Sequence, residues 1–210
     1  METEKIEIVE ARSPLTPPAR LDDLGKNMSV DVREAVASNP SAAAGTLRRL
    51  GQTKSAPIKI ALAGNPSCPT TVRMALADSP RTPPEALVQL ANDRDEIVRF
   101  RVALNPSTPI DTLATLAKDE RDFVRQCVAK NPSTPIDTLV TLAKDEDRFV
   151  RDAVATNPHT PPDTLVTLAK DEAVDVRHEE AKNVNTPPNL GQVPMPSASG
   201  ISQPSIMEIG

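Results

Sequence analysis

Apolar and polar positions follow a pattern along this chain that repeats every 26 residues. The clearest copy runs from Asn131 to Thr156, and close copies begin at Asn105 and at Asn157. Within each copy, leucines recur three residues apart in the first half, and valine and alanine take over in the second half. This spacing predicts two short amphipathic helices per copy. A fixed period of this length is typical of stacked helical repeats, in which each unit buries its apolar face against its neighbours.

Turn and capping residues place the helices within the copy that begins at Asn131. The Asn-Pro-Ser phrase predicts a turn, because a residue before proline is disfavoured in the helical region. Thr134 is the predicted N-cap of the first helix, with Pro135 at its first position and Asp137 as a capping acid. Asp145 is the predicted cap of the second helix. The two helices are predicted to bury Leu139, Leu142 and Ala143, and Phe149, Val150, Ala153 and Val154.

The repeats predict an all-α solenoid of about seven two-helix units over residues 13–190. One unit, beginning at Asn65, is only 14 residues long and lacks the first helix, so we expect a dislocation there in which one layer lacks a member. Residues 1–12 form an N-terminal extension, which either adds a strand-like cover or stays loose. Residues 191–210 are rich in Gly, Pro and Ser, which predicts a disordered tail.

Composition and charge narrow the function. The formal net charge of −5 argues against a general nucleic-acid or acidic-membrane binder. Cys68 and Cys127 lie far apart, without a C-x-x-C spacing, and are predicted to be buried reduced thiols. The chain has neither a signal-peptide pattern nor a long apolar run, so we expect a cytoplasmic location. No residue pattern indicates a catalytic group, a metal site or a cofactor.

The repeated phrase is N-P-x-T-P-P-x-x-L-x-x-L-A, followed by V-R-x-x-V-A. These two phrases together resemble the repeat of the bacterial variant leucine-rich repeat family, and the resemblance covers most of residues 13–190. The resemblance implies a right-handed superhelix of paired helices without a β-sheet, in which one helix of each pair can be 3₁₀-like. Some members carry a cysteine-rich iron–sulfur segment ahead of the repeats, but this chain has no cysteine there.

The second half of each unit is similar to HEAT repeats, where an Asp and an Arg six residues later form a ladder between neighbouring units. The corresponding pairs here are Asp93 and Arg99, Asp119 and Arg125, Asp145 and Arg151, and Asp171 and Arg177. The first units have Asn27 with Arg33 and Thr53 with Lys59 instead. The resemblance therefore implies a weaker ladder near the N-terminus.

Seven cations recur at one position of the second helix: Arg33, Lys59, Arg73, Arg99, Arg125, Arg151 and Arg177. Such a column clamps a phosphate backbone or an acidic peptide if its members are free, whereas in a ladder each guanidinium is held by a carboxylate. The recurring Asp partners and the acidic net charge favour the ladder. Arg73 and Lys59 lack an Asp six residues earlier and are the members predicted to be free for a ligand.

The position after the cation is apolar around the short unit, at Ile60, Met74 and Phe100. Together with Leu104 these residues are a candidate docking patch for a partner. The alternative is that they turn inward and fill the space of the missing helix, since an empty cavity is costly. We expect a non-catalytic scaffold that binds another protein. The alternative function is a HEAT-like nucleic-acid-binding protein that uses the cation column.

Overall fold

The computed structural model describes residues 2–188, and these fold into fourteen α-helices without a strand or a 3₁₀-helix. After α1 (Glu2–Arg12), helices of two lengths recur. The nine-residue helices are α3 (Val30–Ser38), α5 (Ala56–Gly64), α6 (Thr70–Asp78), α8 (Glu96–Leu104), α10 (Asp122–Lys130), α12 (Arg148–Thr156) and α14 (Val174–Lys182). The seven-residue helices are α2 (Pro18–Leu24), α4 (Ala44–Leu50), α7 (Pro84–Leu90), α9 (Ile110–Leu116), α11 (Ile136–Leu142) and α13 (Pro162–Leu168).

The all-helical array of seven units is confirmed, with six helix pairs and the lone α6. A 3₁₀ form of one helix per pair is not found among the described residues, because both lengths close α-helical turns. Residues 191–210, the predicted disordered tail, lie outside the described part of the chain, and so does Leu190.

A threonine precedes five of the six short helices, but it is not their N-cap. The cap of α11 is Pro135, and Thr134 lies one residue earlier, where its hydroxyl donates to the carbonyl of Val128 at 2.5 Å. Thr108 and Thr160 make the same bond to the carbonyls of Val102 and Val154. The threonine therefore satisfies a carbonyl at the end of the preceding long helix rather than an N–H of the next one.

The long helices begin later than the predicted cap. The N-cap of α12 is Asp147, whose carboxylate accepts from the N–H groups of Phe149 and Val150. Asp145 precedes the helix, and its Oδ1 accepts from the N–H of Asp147 at 2.9 Å. Asp145 thus shapes the turn between the two helices instead of capping the second one.

The core is a continuous strip of leucine, valine and alanine between the helices. The predicted core residues Leu139, Leu142 and Ala143 are buried, as are Val150, Ala153 and Val154. Phe149 was predicted to join them, but half of its side chain is exposed. Burial of the remaining set is what holds each unit, because no single pair of short helices hides its apolar face alone.

Helix α1 replaces both forms that the sequence allowed for residues 1–12. It is neither a strand nor a loose segment but a helix that packs against α3, as consecutive long helices do elsewhere. Ala11 is fully buried, and the hydroxyl of Thr16 donates to the carbonyl of Glu10. Ile6 and Val9, on the same helix, remain exposed.

At the short unit the long helices change layer. Helices α1, α3 and α5 pack in order, and α5 then packs against the short helix α7. Helix α6 packs instead against α8, which continues the order α10, α12 and α14. Successive helices alternate between two layers, so the loss of one helix moves every later helix to the opposite layer. The predicted dislocation is therefore present, but it is an exchange of layers and not a layer with a missing member.

Buried asparagines link the long helices within each stack. Asn131 donates from Nδ2 to the carbonyls of Ala103 and Asn105, 28 and 26 residues earlier, and its Oδ1 accepts from the N–H of Ser133. The same set of bonds is made by Asn39, Asn65, Asn105, Asn157 and Asn183. The series is interrupted between Asn65 and Asn105, where Ser79 follows α6. This interruption coincides with the change of layer.

Exposure of Ala75 on α6 supports the same break. Its counterparts Ala35 and Ala153 are buried, and their helices α3 and α12 each pack against an earlier long helix, whereas α6 is the first long helix of its stack. At the other end, Glu180 occupies the position of Val154 and is 3 % exposed. The hydroxyl of Thr186 donates to the backbone carbonyl of Glu180, as that of Thr160 does to Val154, so the repeat pattern of bonds continues past this residue.

Candidate functional site

The cation column forms a ladder that joins neighbouring units. Arg99 donates from Nε to Asp119 Oδ2 at 2.6 Å and from Nη2 to Asp119 Oδ1 at 3.0 Å. Its Nη1 donates to the carbonyl of Asp93 at 2.9 Å. Arg99 thus uses the backbone of the Asp six residues earlier and the carboxylate of the Asp 20 residues later. Arg125 and Arg151 repeat both contacts.

Each ladder carboxylate is largely withdrawn from water. The side chains of Asp119 and Asp145 are 6 % and 8 % exposed, and each also accepts a backbone N–H two residues later. Burial alone would raise the pKa of Asp119, Asp145 and Asp171. The hydrogen bonds from arginine and from the backbone N–H, together with nearby guanidinium charge, outweigh burial and lower the pKa of all three.

Arg73 and Lys59 are not free for a ligand, so this prediction is wrong. Arg73 is 4 % exposed, and its Nε donates to Asp93 Oδ2 at 2.6 Å, while its Nη1 donates to the carbonyl of Cys68. Lys59 is 8 % exposed and donates to the carbonyl of Arg81 at 3.0 Å. For Arg73 the physical reason is that the carboxylate partner belongs to the following unit, which contains Asp93. Lys59 has Ser79 at the corresponding position and is held by a backbone carbonyl instead.

Besides Lys59, the two ends of the cation column lack a carboxylate partner within residues 2–188. The position 20 residues after Arg33 is Thr53, and the Nε of Arg33 is buried without a hydrogen-bond partner there. Arg177 donates to the carbonyls of Asp171 and Glu172. The ladder is therefore weaker near the N-terminus, as the resemblance implied.

The predicted apolar patch is divided by the change of layer. Ile60 lies on α5, whereas Met74, Phe100 and Leu104 lie on α6 and α8 of the other stack. Met74 and Phe100 are half-buried and pack against the core, while Leu104 is 46 % exposed. Both alternatives hold in part, since some of these side chains turn inward and others face solvent.

An aromatic face extends across three long helices and includes residues that the sequence did not single out. All three aromatic residues of the chain lie there, as do two aliphatic ones. We define the aromatic face as Ile97, Phe100, Leu104, Phe123 and Phe149. The rings of Phe100 and Phe123 meet edge to face with centroids 5.9 Å apart, and the guanidinium carbon of Arg148 lies 4.7 Å from the centroid of the Phe149 ring.

Equivalent positions show that this face is not needed for folding. Ile97, Phe123 and Phe149 occupy one position of the unit, which is Asp31 in α3 and Asp175 in α14. A position that accepts aspartate in two units does not require burial: Phe149 is half exposed there, and Phe123 is only partly buried against the core. That comparison between copies is the sequence signal that identifies the aromatic face, and it shows why Phe149 does not belong to the core.

Reactive side chains are few and widely separated. Cys68 and Cys127 are free and buried, and burial raises the pKa of both thiols to about 11. Over residues 2–188 no group of three His, Cys, Asp or Glu side chains is placed to hold a metal ion. Within the same range no helix is both long and apolar enough to cross a membrane.

Comparison with known proteins bears on the repeat itself. A solved structure described as a leucine-rich repeat variant with a novel repetitive protein structural motif is similar to 79 % of this chain, over 71 % of its own length, with 26 % identity and a TM-score of 0.48. No curated protein matches the chain. Residues 148–173, which span α12 and α13, match the family model described as leucine rich repeat variant. This unit is thus recognised as a leucine-rich repeat variant, and the resemblance read from the repeated phrase is confirmed.

Proposed function

We propose that this protein is a non-catalytic scaffold that binds another protein through the aromatic face. The observation that carries the proposal is that all three aromatic residues of the chain lie on α8, α10 and α12, where Phe149 is half exposed and Phe100 and Phe123 are only partly buried against the core. Aromatic side chains are enriched at protein interfaces, because they bury a large area and have few rotatable bonds. Elsewhere in this chain the core is built without them.

Exposure along the face suits a protein partner. Phe149 is 51 % exposed and Ile97 is 38 % exposed, so a partner would remove apolar surface from water at two units, on either side of the unit that contains α10. Phe100 and Phe123 are fixed by their contact with each other and with the core. A surface held in place in this way loses little conformational entropy when it binds.

Ion pairs at the edge of the aromatic face provide a polar rim. Arg121 bonds Glu96 across α8 and α10, and Arg148 approaches Asp175 across α12 and α14. These side chains are about half exposed, so they remain able to contact a partner at modest cost. An apolar centre with a charged, solvated rim is the usual arrangement of a protein–protein interface.

The alternative, a nucleic-acid-binding function, loses its main support in the ladder. Arg73, Arg99, Arg125 and Arg151 each hold a carboxylate, and their side chains are 5–12 % exposed. Phosphate contacts require free cations, and binding through them weakens steeply with salt. A titration of labelled DNA and RNA at 50 and 200 mM salt, roughly the range over which such binding collapses, tests this alternative directly.

The test of the scaffold compares two exposed apolar side chains of similar size on the two layers. A photo-reactive phenylalanine analogue at position 149 is expected to crosslink a protein in extracts of the source organism. The control position is Ile136 on α11, which is 57 % exposed but outside the aromatic face. The protein identified by the crosslink is then applied to immobilised variants without the crosslinker. Phe149→Glu is expected to abolish its binding, and Ile136→Glu is expected to leave its binding unchanged. Equal binding to both variants would contradict the proposal.

A further inference from the structure

The groove beside Arg33 keeps the shape of the ladder but lacks its carboxylate. It has a volume of about 270 Å³ and is lined by Lys26, Arg33, Arg49 and Thr53 among others. The Nε of Arg33 is buried and without a partner among the described residues. In the filled pairs this same atom donates to a carboxylate oxygen, for instance from Arg99 to Asp119. The groove therefore contains a donor without the acceptor for which the fold is arranged.

The equivalent groove at Arg99 shows how the charge has changed. That groove, of about 330 Å³, is lined by Asp93, Asp119 and Glu120 together with Arg99 and Lys118. In the groove beside Arg33, no carboxylate is among the lining residues, and three cations are. The same backbone arrangement thus surrounds a negative groove in one half of the chain and a positive groove in the other.

The neighbouring cations are partly neutralised, whereas Arg33 is not. Lys26 and Arg49 both bond Asp22, at 2.9 Å each, and Lys26 also approaches Asp23 at 3.3 Å. Hydrogen bonds from Thr46, Lys26 and Arg49 hold the pKa of Asp22 well below its ordinary range. Asp22 remains charged and fixes the two cations at the rim. Arg33 lies within 4.0 Å of no acidic side chain over residues 2–188 and is the free donor of the groove.

We propose that this groove binds a carboxylate, supplied by an acidic side chain of a bound protein segment. An arginine fork matches a carboxylate through Nε and Nη2, which is how the four filled pairs are made. A bound Asp or Glu would occupy the place of the ladder carboxylate that Thr53 leaves open. The protein source of this carboxylate rests on the proposed scaffold function, whereas the site itself rests on the groove alone.

Thr53→Asp is the decisive variant, because it supplies the carboxylate from within the chain and needs no loss of structure. The probe is a fluorescein-labelled peptide of alternating Asp and Gly, with an Asn-for-Asp peptide as its control. Thr53→Asp and Arg33→Gln are both expected to weaken binding of the acidic peptide about 10-fold or more, the loss typical of a charge-assisted hydrogen bond. Phe149→Glu, which tests the scaffold, is expected to leave it unchanged.

A second measurement follows the donor atom itself. In ¹⁵N NMR spectra of the full chain, the Arg33 Nε–H signal is expected to shift on addition of acetate, and the Arg99 signal to stay in place. Asp119→Thr reproduces the Thr53 arrangement and is expected to make Arg99 respond as well. Undiminished peptide binding by Thr53→Asp, a silent Arg33 signal, or a response to inorganic phosphate but not to acetate would each overturn the assignment.

Discussion

The two stacks of long helices are built on the same backbone repeat but are joined by different side chains. In the stack from α6 to α14, arginine–aspartate pairs link every neighbouring unit. In the stack from α1 to α5, the corresponding positions hold Glu7 with Asn27, and Arg33 with Thr53. The asparagine bonds, by contrast, are present in both stacks.

This difference shows which features occur in every part of the repeat array and which can be absent. The apolar core and the asparagine series continue through both stacks, so they define the repeat. The ionic ladder is present only where both partners are, and the N-terminal units stack without it. Buried ion pairs often add little net stability, because their desolvation offsets their attraction, although removing one partner is costly. The ladder is thus free to be replaced by a groove at Arg33.

The largest difference between the stacks is expected in acid. Folding lowers the pKa of Asp119, Asp145 and Asp171, so their contribution is present above the unfolded pKa of about 3.9 and is lost as the pH falls through the folded values. The pKa of Asp22 is also lowered, but its side chain is about a third exposed, so water screens its ion pairs and its contribution is smaller. Hydrogen exchange, corrected for intrinsic rates, should therefore show residues 96–182 losing protection below about pH 4 before residues 30–64 do. Equal loss in both stacks would contradict a separate role for the ladder.

Removing one carboxylate gives the next largest effect. Asp119→Ala leaves the Arg99 guanidinium buried without its partner, and we expect unfolding free energy to fall by about 3 kcal/mol. Thr53→Ala, at the equivalent position, removes only the bond from the N–H of Ser55 and is expected to cost about 1 kcal/mol or less. Urea titrations of both variants provide the comparison. If both variants lost a similar amount of unfolding free energy, the charge of the aspartate would not account for the effect.

The asparagine series is expected to be equally important in both stacks. Asn39→Ala and Asn131→Ala each remove three hydrogen bonds from a buried site, so both should lower the free energy of unfolding by about 2 kcal/mol. Thr156→Ala, on an exposed helix end, is a suitable control. A much smaller cost at Asn39 than at Asn131 would break the claim that this feature defines the repeat.

The smallest effect concerns the C-terminal end of the second stack. Glu180 is buried, its Oε1 has no partner among residues 2–188, and burial raises its pKa. Above the raised pKa of the folded state, the buried and charged carboxylate of Glu180 lowers the free energy of unfolding. This destabilisation disappears as the pH falls towards the pKa of the unfolded state, about 4.3, because the carboxylate is then protonated in the folded protein. Glu180→Val restores the residue of other units and should stabilise the protein by about 1 kcal/mol at pH 7, with less gain at pH 4. Thermal unfolding at the two pH values measures this.

The architecture could be predicted from the sequence, because the 26-residue period of the repeat is visible in it. Leu139, Leu142 and Val154 lie in the core as their spacing predicts, since short helices in a stack have one buried stripe. The layer exchange was not predictable in form. The missing helix before α6 was visible, but whether a stack leaves a gap or shifts its order depends on which surfaces meet in three dimensions.

The candidate site was harder to predict, because the repeated position of the cations in the sequence does not show which carboxylate each cation contacts. Arg73 has no carboxylate partner within its own unit, because its partner, Asp93, belongs to the next one. Phe149 was predicted to lie in the core with the apolar residues that follow it in the same helix, although Asp175 at the same position of the next unit indicated solvent. The Arg33 groove required both facts at once: the 20-residue offset of the pairs and the threonine at its far end.

The single helix of the short unit has a consequence for how such rods can be diversified. Inserting one helix instead of two reverses which side of the rod displays a given column of residues, while the backbone bonds of the units beyond it are kept. A second single-helix insertion would restore the original side. Genetic gain or loss of 14 codons, or deliberate engineering, can therefore carry an existing recognition surface to the opposite flank without redesigning any residue within it.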